Sequence, residues 1–123
     1  MSKSAARLDD NHVCSKSDPI PHIGGKITTG SPNVTIGKKP AARLGDKIKC
    51  EDGSEGVISE SNACLVINGQ RAARINDKTS HDGKISSGMD SVQIADDDPF
   101  IEIGDEGIVE IGDNVIFGEA AAG

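Results

Sequence analysis

The tripeptide Ala-Ala-Arg occurs three times among the 123 residues, and each copy is followed by the same spacing of side chains. An aspartate lies three residues after each arginine, and a cysteine or a histidine lies four residues after each aspartate. These positions are Arg7, Asp10 and Cys14; Arg43, Asp46 and Cys50; and Arg74, Asp77 and His81. Repetition of one small unit, with a metal-capable side chain at one place in each copy, predicts a pseudo-threefold structure closed by a metal ion.

Short alternating segments belong to the same repeat. Residues 34–36, 65–67 and 92–94 read Val-Thr-Ile, Leu-Val-Ile and Val-Gln-Ile. Apolar side chains at every second position are expected of β-strands with one buried face. The pairs Gly37-Lys38 and Asn68-Gly69 predict hairpin turns that lead into the next Ala-Ala-Arg triplet. The sequence therefore predicts an all-β fold made of units of strand, turn, strand and turn.

The second residue after each triplet arginine belongs to a restricted set. It is Asp9, Gly45 or Asn76, and these residue types adopt positive φ most readily. We therefore expect one shared left-handed turn in the three copies. The aspartate that follows could cap this turn with its carboxylate or pair with the arginine. We interpret the three arginine–aspartate pairs as structural, with contact to a partner as the alternative.

Charge divides the chain into two parts. Residues 1–84 carry 13 basic and 10 acidic side chains, whereas residues 85–123 carry 10 acidic side chains and no lysine or arginine. An acidic segment of this kind repels phosphate, which argues against nucleic-acid binding by the whole chain. We predict a repeat domain at residues 1–95 and an acidic β extension at residues 96–123. With two phenylalanines and no tyrosine or tryptophan, the core is small, and a metal would help to stabilise it.

The acidic extension contains its own repeat. Ile-Glu-Ile-Gly-Asp at residues 101–105 is echoed eight residues later by Val-Glu-Ile-Gly-Asp. This alternation predicts strands with one solvated face, and the octad resembles the eight-residue repeat of trimeric spike β-helices. A simple hairpin around residues 104–107 is an equally good interpretation. The segment could add strands along the repeat domain, or it could dock onto a partner or cargo; residues 118–123 are predicted to be disordered.

Targeting signals and cysteine chemistry indicate a cytoplasmic origin. No apolar run approaches the roughly 18 residues needed to span a bilayer, and residues 1–15 have no hydrophobic signal-peptide centre. Cytoplasmic thiols usually stay reduced, and the three cysteines cannot all pair within one chain. Cys64 aligns with strand positions in the other copies, so we predict a packed thiol and not a metal ligand.

Several motifs together resemble the PAAR-repeat family. They are Pro-Ala-Ala-Arg at residues 40–43, the preceding Gly-Ser-Pro-x-Val-x-Ile-Gly, Pro-His-Ile-Gly-Gly at 21–25 and Asp-Lys-Thr-Ser-His-Asp-Gly at 77–83. The resemblance covers roughly residues 5–95. It departs from the family pattern at Arg71, where proline is usual, and at residues 95–97, where Ala-Asp-Asp replaces the usual ending. It implies a small cone of β-strands with a metal near its point. Such a cone sits on the blunt end of a trimeric spike, as in type VI secretion or in related phage and injection machines.

The resemblance also implies a set of metal ligands. The family pattern of three histidines and one cysteine nominates His12, His22, Cys50 and His81, whereas aligning the repeats nominates Cys14, Cys50 and His81. His12 and Cys14 lie two residues apart, so on an extended chain they share a face and compete for one corner. We favour His12 and keep Cys14 in reserve. Four nitrogen and sulfur ligands suit structural zinc, with iron as the alternative, and we expect these ligands in turns that follow strands.

Other chemistries have weaker support. A catalytic zinc usually keeps an open position and a nearby base, as in His-Glu-x-x-His, and the sequence contains no such motif. The paired Cys-x-x-Cys of zinc fingers and a complete phosphate-binding loop are also absent from the sequence. We therefore do not expect an enzyme.

The expected function is that of a spike tip. The resemblance implies a monomer that caps and sharpens the trimeric valine–glycine-repeat spike of a contractile injection machine, aiding membrane puncture and effector delivery. We expect the cone base, formed by the strands at 34–36, 65–67 and 92–94, to meet the spike. The protein would be cytoplasmic before firing and then be delivered outside the cell or into the target envelope. Alternatives are a bacteriophage tail-spike tip, a cargo adaptor that acts through the acidic extension and, less favoured, a zinc-dependent hydrolase.

Overall fold

Short β-strands account for the regular structure of the chain. A computed structural model describes residues 2–13, 24–50, 53–80, 83–96, 101–104, 107–112 and 114–118, and these ranges contain strands and turns without a helix. The all-β prediction is confirmed. Within the described ranges, accordingly, no helix is suited to crossing a membrane. The strands are β1 (Ser2–Ala5), β2 (Asn11–Val13), β3 (Gly25–Ile27), β4 (Val34–Ile36), β5 (Lys39–Pro40), β6 (Lys47–Cys50), β7 (Glu55–Val57), β8 (Leu65–Ile67), β9 (Gln70–Arg71), β10 (Lys84–Ile85), β11 (Met89–Ala95), β12 (Ile101–Ile103), β13 (Val109–Ile111) and β14 (Val115–Phe117).

The strands form one larger and three smaller sheets. The larger sheet has five antiparallel strands in the order β10-β2-β3-β6-β7. The smaller sheets have three strands each, in the orders β13-β4-β5, β12-β8-β9 and β1-β11-β14. Each smaller sheet is built on one of the three alternating segments that the sequence analysis identified.

The three Ala-Ala-Arg triplets close a ring of backbone hydrogen bonds. Ala6 N–H donates to the Ala73 carbonyl (3.0 Å), Ala73 N–H to the Ala42 carbonyl (2.9 Å), and Ala42 N–H to the Ala6 carbonyl (3.1 Å). All three alanines are buried, and a larger side chain at any of them would have to displace the neighbouring copies. The small residue in the triplet is therefore what allows three copies to meet around one axis.

The left-handed turn after each triplet is confirmed. The φ angles are 75° at Asp9, 91° at Gly45 and 71° at Asn76. In each copy the amide of this residue donates to an isoleucine carbonyl at 2.8–2.9 Å, and the acceptors are Ile27, Ile58 and Ile85. Identical bonds in three copies establish the pseudo-threefold arrangement.

The predicted hairpins are also confirmed, and the third alternating segment, at residues 92–94, is paired with the start of the chain. β4 pairs with β5 and β8 with β9, each across a two-residue turn whose central residues have positive φ. Among the described residues, β11 is not followed by such a hairpin strand. Its antiparallel partner is β1, in the register Ser2↔Ala95 to Ser4↔Gln93. The N-terminal strand thus takes the place beside β11 that β5 and β9 take beside β4 and β8, and the ring closes.

The core is divided into two apolar clusters along the axis. The larger cluster combines the smaller sheets and contains Ala5, Val34, Ile36, Ala41, Ala63, Cys64, Leu65, Ile67, Ala72, Val92, Ile94, Ala95 and Ile111. The smaller cluster consists of Ala6, Ile27, Ala42, Ile48, Ile58, Ala73 and Ile85. Fewer apolar side chains are therefore buried at one end of the repeat domain than at the other. Cys64 is fully buried, as expected for a packed thiol.

The acidic extension adds one strand to each of the smaller sheets. β12 pairs with β8, β13 with β4 and β14 with β11, in every case parallel and residue for residue. The hairpin interpretation of residues 104–107 is wrong, because β12 and β13 belong to different sheets. The extension instead winds around the axis as a second layer of strands below the repeat domain. Of the segment predicted to be disordered, residues 119–123 lie outside the described part of the chain.

This second layer corrects the expected location of the base. The strands β4, β8 and β11 were expected to present their edges to a partner. Each of those edges is already hydrogen-bonded to an extension strand, and the apolar side chains at the first and last positions of residues 34–36, 65–67 and 92–94 are fully buried. The outermost layer of this end of the molecule therefore comes from the extension.

Candidate functional site

In the first two repeat units the triplet arginine and its aspartate form the same closed turn. Asp46 accepts hydrogen bonds from the Arg43 backbone N–H (2.7 Å), from Nε (3.0 Å) and from Nη2 (2.9 Å). Arg7 and Asp10 repeat these contacts at 2.8, 3.1 and 3.3 Å. The carboxylate thus both caps the turn and pairs with the guanidinium, so the two roles left open by the sequence coexist.

The third unit keeps the cap but redirects the arginine. Asp77 accepts the Arg74 backbone N–H at 2.8 Å, yet its carboxylate lies 3.8 Å from Nη2. Arg74 Nη1 instead donates to Asp96 (2.7 Å) and to the Ile94 carbonyl (3.0 Å). The Arg74 side chain is only 1% exposed, and its Nε makes no hydrogen bond to the part of the chain that the structure describes. Arg74 therefore joins the repeat domain to the first residue of the extension.

The altered third turn affects the ionisation of its carboxylates. Burial raises the pKa of Asp77 to about 6, and the hydrogen bond and charge of Arg74 oppose this shift only in part. The hydrogen bond from Arg74 lowers the pKa of the more exposed Asp96. Because the guanidinium is directed toward Asp96, Asp77 is left with less compensation for its own burial.

A chain of polar contacts ties the second unit to the extension. Arg43 Nη1 donates to the Asn68 side chain at 3.0 Å, and Asn68 Nδ2 donates to Asn33 Oδ1 at 2.8 Å. Asn33 Nδ2 in turn donates to the carbonyls of Gly104 (2.9 Å) and Gly107 (2.7 Å). These two glycines flank the connection from β12 to β13. The Asn33 amide therefore holds the extension where it passes from one sheet to the next.

Two of the predicted metal ligands lie on one face of the larger sheet. His12 in β2 is opposite Gly25 in β3, and Gly25 is opposite Cys50 in β6. Directly opposed residues in neighbouring strands point to the same face, so His12 and Cys50 share a face with only a glycine between them. Both side chains are buried, and His12 Nε2 lies 3.2 Å from the Lys49 carbonyl oxygen. They lie within strands, not in the turns that were expected.

His12 and Cys50 lie where the smaller apolar cluster ends. Ile27 and Ile48, members of the smaller cluster, are opposite one another two residues along from Gly25 and Cys50. His12 and Cys50 therefore extend the face of that cluster away from the larger core. A nitrogen and a sulfur donor at such a place suit zinc chemistry.

The other candidates fall outside the described residues. Cys14, His22 and His81 belong to segments that the structure does not describe. Among the described residues, no three or more histidine, cysteine, aspartate or glutamate side chains are grouped as a metal site. The ligand set therefore remains a prediction, of which His12 and Cys50 can be located.

The opposite end of the molecule presents the extension layer. The first and last residues of β12, β13 and β14 are apolar and pack against the larger cluster. The middle residues are Glu102, Glu110 and Ile116, and all three are exposed. Asp96 and Asn33, which anchor this layer, were not predicted from the sequence. The departure from the family pattern at residues 95–97 marked Asp96, whereas nothing local to Asn33 distinguishes it from an ordinary turn residue.

Comparison with known proteins adds one match. No curated protein matched the chain. A family profile described as PAAR motif matches residues 16–87, which is more than half of the sequence and includes the second and third repeat units. The chain belongs to the PAAR motif family.

Proposed function

We propose that this protein is the tip of the spike of a contractile injection machine, such as a type VI secretion system. The observation that carries this proposal is the closed ring formed by Ala6, Ala42 and Ala73, which gives a single chain threefold geometry. A monomer of this kind can sit on the axis of a trimer and present an equivalent strand to each of its three subunits. The PAAR motif match supports the same role.

The proposed role is mechanical. A tip that is driven into a membrane must resist deformation, and the described strands are short and tied by repeated turns. In each turn the aspartate accepts a hydrogen bond from the backbone N–H of the triplet arginine, and in two of the three turns the two side chains also form a close ion pair. We infer no catalytic activity, and we infer that the protein is cytoplasmic before firing and is then delivered with the spike.

A metal ion would stabilise the end of the repeat domain where the smaller apolar cluster lies. We propose structural zinc held by His12, His22, Cys50 and His81, with Cys14 as the substitute for His12. The buried face shared by His12 and Cys50 supports two of these positions. Zinc would link segments that have few apolar side chains to bury, and its binding energy would contribute to folding.

Copurification with a spike tests the function. The full chain, mixed with the trimeric valine–glycine-repeat spike protein of the same source, should form a complex with one copy of this chain per trimer, measured by light scattering after size exclusion. Failure to bind, or binding of three copies per trimer, would contradict the proposed role.

Elemental analysis tests the metal. The purified wild type should contain about one zinc per chain, and His12→Ala and Cys50→Ser should each lower that content and the unfolding temperature. Cys64→Ala is the matched control, because this buried cysteine belongs to the larger apolar cluster. A fully folded wild type without bound metal would contradict the metal proposal while leaving the spike-tip role standing.

A further inference from the structure

In the described part of the chain, each of the three extension strands lies at one edge of its sheet. Ile101 N–H donates to the Cys64 carbonyl (2.9 Å), and the Ile103 carbonyl accepts from Asn68 N–H (3.1 Å). Backbone groups of successive residues in a strand alternate in direction, so the N–H and C=O of Glu102 point away from β8. Val109 and Ile111 make the equivalent bonds to residues flanking β4, which directs the backbone of Glu110 outward in the same way. Such an edge is a template for another strand.

The apolar interior is incomplete at this layer. Ile36, Ile67 and Ile94 of the repeat layer are 0% exposed. Of their parallel partners in the extension, Ile111 is 7% exposed, and Ile103 and Phe117 are only half-buried. The extension side chains pack against the larger cluster on one side. A further layer of strands would bury their other side.

On the basis of the function proposed above, we propose that β12, β13 and β14 form the docking layer of this protein. The partner is a homotrimeric parallel β-prism whose last layer adds one strand to each of the three edges. The extension strands continue the repeat strands in parallel and residue for residue. The partner strands are therefore expected to continue the same register, with the pattern apolar, central residue, apolar.

The outward side chains specify the chemistry of the partner's central residue. They are Glu102, Glu110 and Ile116, and Ile116 is 58% exposed. A homotrimer presents the same residue to all three edges, so one residue type must meet two carboxylates and one aliphatic side chain. Lysine or arginine can make both kinds of contact. Its aliphatic stem can pack against Ile116 at one edge, and its charge can pair with Glu102 or Glu110 at the other two edges. The excess of ten acidic groups in residues 85–123 favours the same sign of charge.

Charge reversal tests the side chains. The probe is the trimeric β-helical end of a valine–glycine-repeat spike, made in two versions with lysine or glutamate at the central position of its last layer. The full chain should bind the lysine version about tenfold more tightly, because two favourable cross-strand pairs replace two repulsive ones. The double variant Glu102→Lys, Glu110→Lys should reverse this preference, and Glu102→Gln, Glu110→Gln should reduce it.

Proline substitution tests the backbone edge. Glu102→Pro removes an N–H that β8 does not use, so the strand should persist while a partner strand is blocked. The expected result is at least about a tenfold loss of affinity for the lysine probe, since a strand-edge contact worth more than about 1.4 kcal/mol is lost. Glu102→Ala is the matched control, because it loses the same charge but keeps the amide. Unfolding temperatures of both variants show whether the layer is intact.

The outcomes separate this proposal from the function on which it rests. If the wild type binds neither probe, the spike-tip role itself fails. If it binds but both the charge-reversed and the proline variants bind as tightly, the spike-tip role stands and the docking layer is overturned. Binding that requires residues 119–123 and tolerates Glu102→Pro would place the contact on that terminal segment and would also overturn the docking layer.

Discussion

The repeat layer (β4, β8 and β11) and the extension layer (β12, β13 and β14) have the same local pattern but different environments. In both layers each strand carries apolar residues on either side of a central residue, and the strands are paired in parallel register. The apolar residues on either side of the central residue are all fully buried in the repeat layer, whereas five of the six in the extension layer are partly exposed. The difference shows that burial of such a strand depends on having a packed layer on each side of it.

Removal of the extension layer should cause the largest loss of stability, because it takes away the layer that covers the repeat strands. A chain that ends after Asp96 keeps the Arg74 pair but bares the edges of β4, β8 and β11. The six apolar side chains of the extension contribute about 1 kcal/mol each, less the entropy of ordering them, and their removal also exposes the apolar residues of the repeat layer. Together these terms predict a loss of roughly 3–5 kcal/mol in the free energy of unfolding.

Chemical denaturation measures this loss, and light scattering should show self-association of the shortened chain through its exposed edges. A chain ending after Gly118 is the control and should match the full chain. If the chain ending after Asp96 is as stable as the full chain, the extension strands are not part of the folded unit.

Paired alanine substitutions compare the two layers directly. Ile67 and Ile103 are opposite one another in β8 and β12. Ile67→Ala should cost about 2–5 kcal/mol because it leaves a cavity in the core, whereas Ile103→Ala should cost about 1 kcal/mol because its site is partly open to solvent. Urea denaturation of both variants gives the two values.

Binding of the spike should reduce the difference between the stability costs of Ile67→Ala and Ile103→Ala, because a partner layer would complete the burial of Ile103. Equal costs for the two variants in the free protein would mean that the extension layer is already as well buried as the repeat layer.

The smallest expected effect is a pH dependence of the free energy of unfolding, which arises from Asp77 at the junction between the repeat domain and the extension. Asp77 has a raised pKa, so folding favours its protonated form. The stabilisation is complete below its ordinary pKa near 3.8 and is lost as the pH rises through about 6. Between these pH values the free energy of unfolding of the wild type should therefore fall by on the order of 2 kcal/mol relative to that of an Asp77→Asn variant.

Thermal unfolding at a series of pH values between 3 and 8 measures this difference (about five points suffice to define the transition). Asp46→Asn is the matched control, because Asp46 receives the Nε and Nη2 bonds that Asp77 lacks. Removal of Asp46 should therefore leave the transition near pH 6 in place. A wild type and an Asp77→Asn variant with parallel pH profiles would show that Asp77 ionises normally in the folded protein.

The features that could be predicted from the sequence depend on residues close together in the chain. The alternating segments, the two hairpins and the positive φ at Asp9, Gly45 and Asn76 follow from local chemistry, and the structure confirms each of them. The repetition of the triplet also predicted threefold closure, because three equal units must meet equivalently. The ligand set around His12 and Cys50 came from spacing and resemblance, and the structure locates only those two members.

The tertiary structure decided the contacts between distant segments. β1 pairs with β11, the Arg74 side chain donates to Asp96 and not to Asp77, and the extension winds as a layer instead of forming a hairpin. All three outcomes depend on which edges and charges lie nearby after closure. Local pattern cannot distinguish these outcomes, since an apolar–acidic strand can pair with its neighbour or with any free edge of suitable register. The sequence determined the unit and its number of copies, and the position of the free edges around one axis determined where the remaining strands pair.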